Sequence, residues 1–101
     1  MPSTAPVAQE QAYAQHIVNA QFPGQPGEAH AFDNVIQQES TWNPRAVNDT
    51  NPTAQGLGQL EQGPRAGTDY QTQLNAALHY MLQRYGTPDG AWAHETTSGW
   101  Y

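Results

Sequence analysis

Apolar residues recur at helical spacing in three stretches of this chain. Over residues 9–22, Tyr13, Ile17 and Ala20 share one face, with Ala14 and Val18 beside them. The segment FPGQPGE, residues 22–28, then stops the helix, because two prolines and two glycines cannot continue it. A second helix is predicted over about 28–40, with Phe32, Val35 and Ile36 as its apolar positions. Glu28 and Asp33 fall in its early turns, where acidic groups suit the helix dipole. The most regular pattern is the last, over about 69–85. There Leu74, Ala77, Leu78, Met81 and Tyr85 form a stripe, and Gly86 supplies the stop.

Between and beyond these helices the pattern changes character. Residues 41–56, TWNPRAVNDTNPTAQG, read as loop, with Asn-Pro twice and polar turn formers around it. GLGQLEQGP, residues 56–64, is too rich in glycine for a helix and reads as a tight turn or short extended piece. The closing TPDGAWAHETTSGWY is too aromatic for a free tail. It is predicted to fold back on the helices, with Trp92 and Trp100 mainly closing the core. Nothing alternates with period two for long, so the fold class is mostly α. Residues 1–8, rich in Pro, Ser, Thr and Ala, are expected to be a disordered tail or linker, which leaves 9–101 as one domain.

Composition narrows the partners. A chain of 101 residues builds one modest core. Its formal charge is −6, with no lysine and only Arg45, Arg65 and Arg84 as strong cations. That excludes nucleic acid, whose affinity rests on neutralised phosphates, and anionic membrane surfaces. Only 12% of residues are charged, and Gln, Asn, Thr and Ser supply most of the polar surface, which suits neutral hydrogen-bonding ligands such as sugars. The absence of cysteine removes disulfides, zinc–thiolate sites and thiol nucleophiles. His16, His30, His79 and His94 show no metal-ligand spacing. GLGQLEQG lacks the lysine and strand–helix context of a phosphate loop, so no cofactor or metal is expected. No run approaches the ~18 apolar residues of a membrane span. The N-terminus has neither the basic start nor the apolar centre of a signal peptide, and the expectation is a piece of a longer protein or delivery by another route.

The candidate chemistry sits in NVIQQESTWNP, residues 34–44. Glu39 lies seven residues after Phe32, four after Val35 and three after Ile36, hence on their face, while Gln37 and Gln38 point elsewhere. A carboxylate at a core border is desolvated on one flank. This raises its pKa toward the range of a general acid at neutral pH. The plain alternative is a solvated glutamate at a helix end. The residues downstream favour the chemical reading. Trp42 offers a flat loop aromatic for a pyranose ring (or packs on the loop), Asn43-Pro44 fixes a turn, and Gly56 and Gly58 allow close backbone approach.

QQESTWNPRAVN and, beyond it, TAQGLGQL resemble the lysozyme-like lytic transglycosylases, a superfamily that includes the goose-type lysozymes. Their signature is a Glu-Ser pair, an aromatic-Asn-Pro turn and a small-residue-Gly-hydrophobic-x-Gln segment. The closing RYGTPDGAWAHETTSGWY is similar to the actinobacterial and phage branch related to aggregation-promoting factors. The likeness covers roughly residues 10–101. Thr41 stands where that family usually has glycine, and NDTNPTAQG replaces a commoner Ser-Gly-Ala loop.

The resemblance implies a small helical lysozyme-like fold. It implies cleavage of the β-1,4 bond between N-acetylmuramic acid and N-acetylglucosamine in peptidoglycan, by a monomer at the cell wall, outside the cell or on a virion. It makes Glu39 the single catalytic acid and Ser40 the residue supporting it. Gln59 becomes the glutamine lining the sugar cleft, and Tyr80 a hydroxyl near the acid. With Trp42, these form the expected substrate-binding set.

Two-carboxylate glycosidases hold their acids ~5–5.5 Å apart when retaining and ~6.5–9.5 Å when inverting. Asp49, Glu61 and Asp69 are the candidates for a second one here, and no spacing ties any of them to Glu39. A transglycosylase needs no second carboxylate, because the muramoyl 6-hydroxyl is the nucleophile and closes a 1,6-anhydro ring. Two rivals stay open: a hydrolytic muramidase of the same fold, and a non-catalytic peptidoglycan-binding or virion-structural module.

Overall fold

The structure is a computed structural model that describes residues 6–101. Four helices succeed one another: α1 Val7–Gln21, α2 Pro26–Ser40, α3 Tyr70–Tyr85 and α4 Pro88–Ser98. The mostly α class is therefore the observed one. Of the tail expected over 1–8, residues 1–5 lie outside the described residues, while Val7 and Ala8 already belong to α1. Pro6 takes the N-cap, and its carbonyl accepts the amides of Gln9 and Glu10.

α1 buries a different stripe from the expected one. Glu10, Ala14 and Val18 are buried, Tyr13 and Ile17 flank them, and Ala20 is exposed. The small Ala14 and Val18 turn inward toward α2 and α3, and the bulkier Tyr13 packs at the margin. Tyr13 sets its ring edge-on to Tyr70, with centroids 5.7 Å apart, and its hydroxyl accepts from Asn75 Nδ2 at 2.7 Å.

α2 begins at Pro26, which is preorganised for a first turn, and buries Phe32, Val35 and Ile36 as expected. α3 starts at an Asp69 N-cap that accepts from Thr72 N at 2.9 Å. It buries Leu74, Ala77, Leu78 and Met81, and Gly86 ends it as the pattern required.

α4 is the element that hydrophobic spacing did not reveal. Its start is set by Thr87, whose Oγ1 accepts from Gly90 N at 3.0 Å, and by Pro88 in the first turn. Glu28 on α2 also accepts from Asp89 N at 2.9 Å, and Gly99 closes the helix in a left-handed turn. Only Pro88, Ala91 and Glu95 are buried along it. With so little apolar bulk there is no stripe to read. α4 packs most extensively against α2, which brings Glu95 to the end of α2.

The long connection between α2 and α3 is pinned rather than free. Isolated bridges pair Val47 with Gln55 and Gln55 with Leu60, matching the turn or short extended piece expected there. Leu57 and Trp42 plug into the core from this loop. Gln73, buried on α3, binds it at three points: it accepts from Leu57 N at 2.6 Å and donates to the carbonyls of Pro44 at 3.0 Å and Thr68 at 2.7 Å. Gly56, at φ +76°, lies so close that a Cβ there would stand 2.5 Å from Gln73 Oε1. Trp92 packs against the core, but Trp100 is 52% exposed, a correction to its expected place there. Among the described residues no helix is long and apolar enough to cross a membrane.

Candidate active site

Glu39 occupies the last turn of α2, half-buried at the border of the Phe32–Val35–Ile36 core. Facing it from α4 is Glu95, only 3% exposed. Both Glu95 carboxyl oxygens are buried, and among the described residues neither has a hydrogen-bond partner other than the facing Glu39 carboxyl. The hydrogen-bonding neighbour of Glu95 is the Glu39 carboxyl itself. Two carboxyl groups can share a hydrogen bond only when one of them holds a proton. Burial, then this shared bond, then repulsion from Glu95 raise the Glu39 pKa from the ordinary glutamate value to about 9.

Tyr101 covers the pair. Its hydroxyl donates to the Gly58 carbonyl at 2.5 Å, and its phenol pKa is pushed well up by burial first and then by the charges of Glu39 and Glu95. The Tyr101 ring meets Tyr80 edge-on, with centroids 5.2 Å apart, and the Tyr80 hydroxyl donates to the Tyr101 carbonyl at 3.1 Å. The Tyr80 hydroxyl is thus engaged with main chain. Burial raises its pKa too.

A cleft of about 890 Å³ opens beside these groups, and Glu39, Gln59, Tyr80 and Tyr101 line it. That volume lies within the range typical of small-molecule sites. Gln59 is held at φ +53°, and its side-chain nitrogen donates to the carbonyls of Gly56 at 2.9 Å and Ala46 at 3.2 Å. Its amide nitrogen is spent on the loop, so the oxygen is the part available to a ligand.

Ser40 and Trp42, expected to bind substrate, do not line the cleft. The Ser40 side chain is buried and bonds back to the Ile36 carbonyl at 3.2 Å. Trp42 is 3% exposed because the chain leaves α2 through two left-handed residues, Thr41 at φ +50° and Trp42 at φ +63°, which swing the indole into the core. The left-handed turn also explains why glycine is usual at position 41. Thr41 tolerates it, and its hydroxyl donates to the Ser40 carbonyl at 2.6 Å.

Among the candidates for a second carboxylate, Asp49 is exposed and Asp69 serves as the α3 cap, where the Thr72 amide and hydroxyl lower its pKa. Glu61 lines the cleft and accepts from Asn51 Nδ2 at 2.7 Å.

Sequence reasoning missed Glu95 and Tyr101. The signal was present: Pro88, Ala91 and Glu95 share one face once TPDG is recognised as a helix start. No group of three His, Cys, Asp or Glu side chains that could hold a metal ion occurs among the described residues.

A small helical domain with a carboxyl of raised pKa lining a ligand-sized cleft has the makings of a general-acid site. The chain belongs to the family described as the Transglycosylase SLT domain, whose profile matches residues 27–97, from the first turn of α2 almost to the end of α4. It is 30% identical over 84 residues to a probable transglycosylase IsaA of Staphylococcus xylosus, covering 83% of this chain and 33% of that protein. It is 32% identical over 84 residues to the protein of the same name from Staphylococcus haemolyticus strain JCSC1435, covering 83% and 34%. The chain spans about a third of the length of these curated relatives. No solved structure gives a significant match.

Proposed function

We propose that this domain is a peptidoglycan lytic transglycosylase. It cleaves the β-1,4 bond between N-acetylmuramic acid and N-acetylglucosamine, at the cell wall, with Glu39 as its single catalytic acid and base. The observation that carries this reading is the placement of Glu39 in the lining of a ligand-sized cleft, against the buried and otherwise unpartnered carboxyl of Glu95.

The chemistry stems from that proton. At neutral pH Glu39 is held in its acid form and gives its proton to the glycosidic oxygen as the bond breaks. Glu39 is then a half-buried carboxylate beside Glu95, which makes it a strong base. It recovers a proton from the muramoyl 6-hydroxyl as that oxygen attacks the anomeric carbon and closes the 1,6-anhydro ring. The same repulsion thus serves both steps. An intramolecular nucleophile gains from its high effective concentration. Gln59 offers its amide oxygen to the sugar, and Tyr80 and Tyr101 wall the site.

Glu95 is unsuited to act as nucleophile or base. Its oxygens are buried, and it does not line the cleft in which the sugar would sit. Hydrolysis instead draws support from Glu61, the other carboxylate lining the cleft. Mass spectrometry of the released muropeptides separates the two outcomes: anhydro ends are expected, and reducing ends mean a muramidase. Glu39→Gln should leave the fold intact and clear no cell walls, and clearing by that variant would reject the assignment.

A further inference from the structure

We infer that Arg84 is a carboxylate-binding residue that selects acidic glycans, an inference that rests on the cleft holding peptidoglycan. Arg84 lies in the last turn of α3 and, among the described residues, is the one lysine or arginine lining the cleft. It is also one of only three strong cations in a chain of charge −6. It shares the cleft lining with the acids Glu39 and Glu61, so an anionic ligand finds no other lysine or arginine to pair with there.

Its geometry fits capture. The guanidinium carbon stands 5.6 Å from the Tyr80 ring centroid and 5.7 Å from that of Trp100. Cation–π contacts use the faces of the planar guanidinium and leave N–H groups on its edge able to grip a carboxylate through two parallel bonds. The aromatic frame is itself braced. Trp100 stacks edge-on with His94, centroids 4.4 Å apart, and the His94 ring lies against Tyr85 at 5.1 Å. The side chain is thus partly preorganised in an exposed position in the cleft lining, so less entropy is lost on binding.

Peptidoglycan offers carboxylates from two sources, the lactyl group of a muramic acid without a peptide and the free carboxyls of a peptide stem. Chitooligosaccharide offers the same sugar backbone with none. Glu39→Gln, which holds substrate uncleaved, is compared with the same protein carrying Arg84→Gln in addition. Calorimetry measures the affinity of each for chitooligosaccharide, for stem-free glycan strands and for stem-bearing strands.

Loss of a charge-assisted pair predicts about tenfold weaker binding of acidic strands, with chitooligosaccharide affinity held within about twofold. Arg84→Lys should recover part of the loss, because it keeps the charge but not the fork. A loss confined to stem-free strands assigns the lactyl carboxylate, and one confined to stem-bearing strands assigns the stem. Equal weakening of all three ligands, or of none, overturns the inference and leaves the glycan reading standing. If none of the three binds either protein, the glycan reading itself fails, and the inference with it.

Discussion

Glu10 on α1 and Glu39 on α2 are both carboxylic acids drawn out of water, and the fold treats them differently. Glu10 is 1% exposed and one of its oxygens is unpaired, and burial alone raises its pKa to about 7. Glu39 keeps more exposed surface, yet it is raised further: burial acts on it first, and the hydrogen bond with Glu95 and repulsion from it add to that. Glu10 faces packed side chains and lies outside the segment matched to the transglycosylase family, while Glu39 lines an open cleft. Burial raises both acids, so what sets Glu39 apart is access to the cleft and a carboxyl partner.

The largest expected effect tests access. Glu39→Gln should lower cell-wall turnover by about a thousandfold or more, whereas Glu10→Leu should leave it unchanged in a turbidity assay. If both variants lost activity equally, the distinction between the two acids would collapse.

Next comes the partner. Glu95→Gln removes the repulsion and supplies an amide donor that favours the ionised Glu39, so the Glu39 pKa should fall. Burial remains, so the fall is partial. Wild-type activity should decline as pH rises through the high Glu39 pKa, and in Glu95→Gln this alkaline limb should move down by about one pH unit or more. Holding Glu39 protonated at a pH where the unfolded chain ionises it costs stability, and the same change lessens that cost. Glu95→Gln is therefore expected to melt higher than wild type at pH 8 while turning over more slowly.

Third, Gly56→Ala should cost about 1–3 kcal/mol in a denaturant melt. It forces a positive φ on alanine and drives a methyl group into Gln73, which anchors the cleft loop.

The smallest effect concerns Glu10. Its folded pKa, about 7, exceeds its ordinary value of 4.5. Its protonated form is therefore compatible with the fold below pH 4.5, and stability is lost as pH rises through 7. Glu10→Leu should raise the melting temperature at pH 8 by about 5 °C and by less at pH 4, as circular dichroism would show.

The legibility of these features depends on which forces write into sequence. α2 and α3 are readable because long apolar side chains recur on one face and Gly86 marks an end. The same spacing places Glu39. α4 is not readable, since it is held by a Thr87 cap, a Pro88 start and the reach of Glu28 from α2 rather than by an apolar stripe. Glu95 escapes recognition with it, because a buried acid on a helix without a stripe looks like a surface residue. Trp42 is visible as a loop aromatic, but whether it faces sugar or core depends on two left-handed residues that no composition rule places there. Tyr101 reaches the acid pair only through the turn at Gly99 and its bond to Gly58, a contact across 43 positions.

The central claim is that Glu39 holds a proton at neutral pH because it is drawn out of water against the carboxyl of Glu95. Carbon-detected NMR titration of the glutamate carboxyls, with Glu39 assigned by its loss in Glu39→Gln, measures this directly. Glu39 should titrate far above the ordinary 4.5, near 9, and fall in Glu95→Gln. A wild-type Glu39 titrating near 4.5, or one indifferent to Glu95→Gln, would contradict the account.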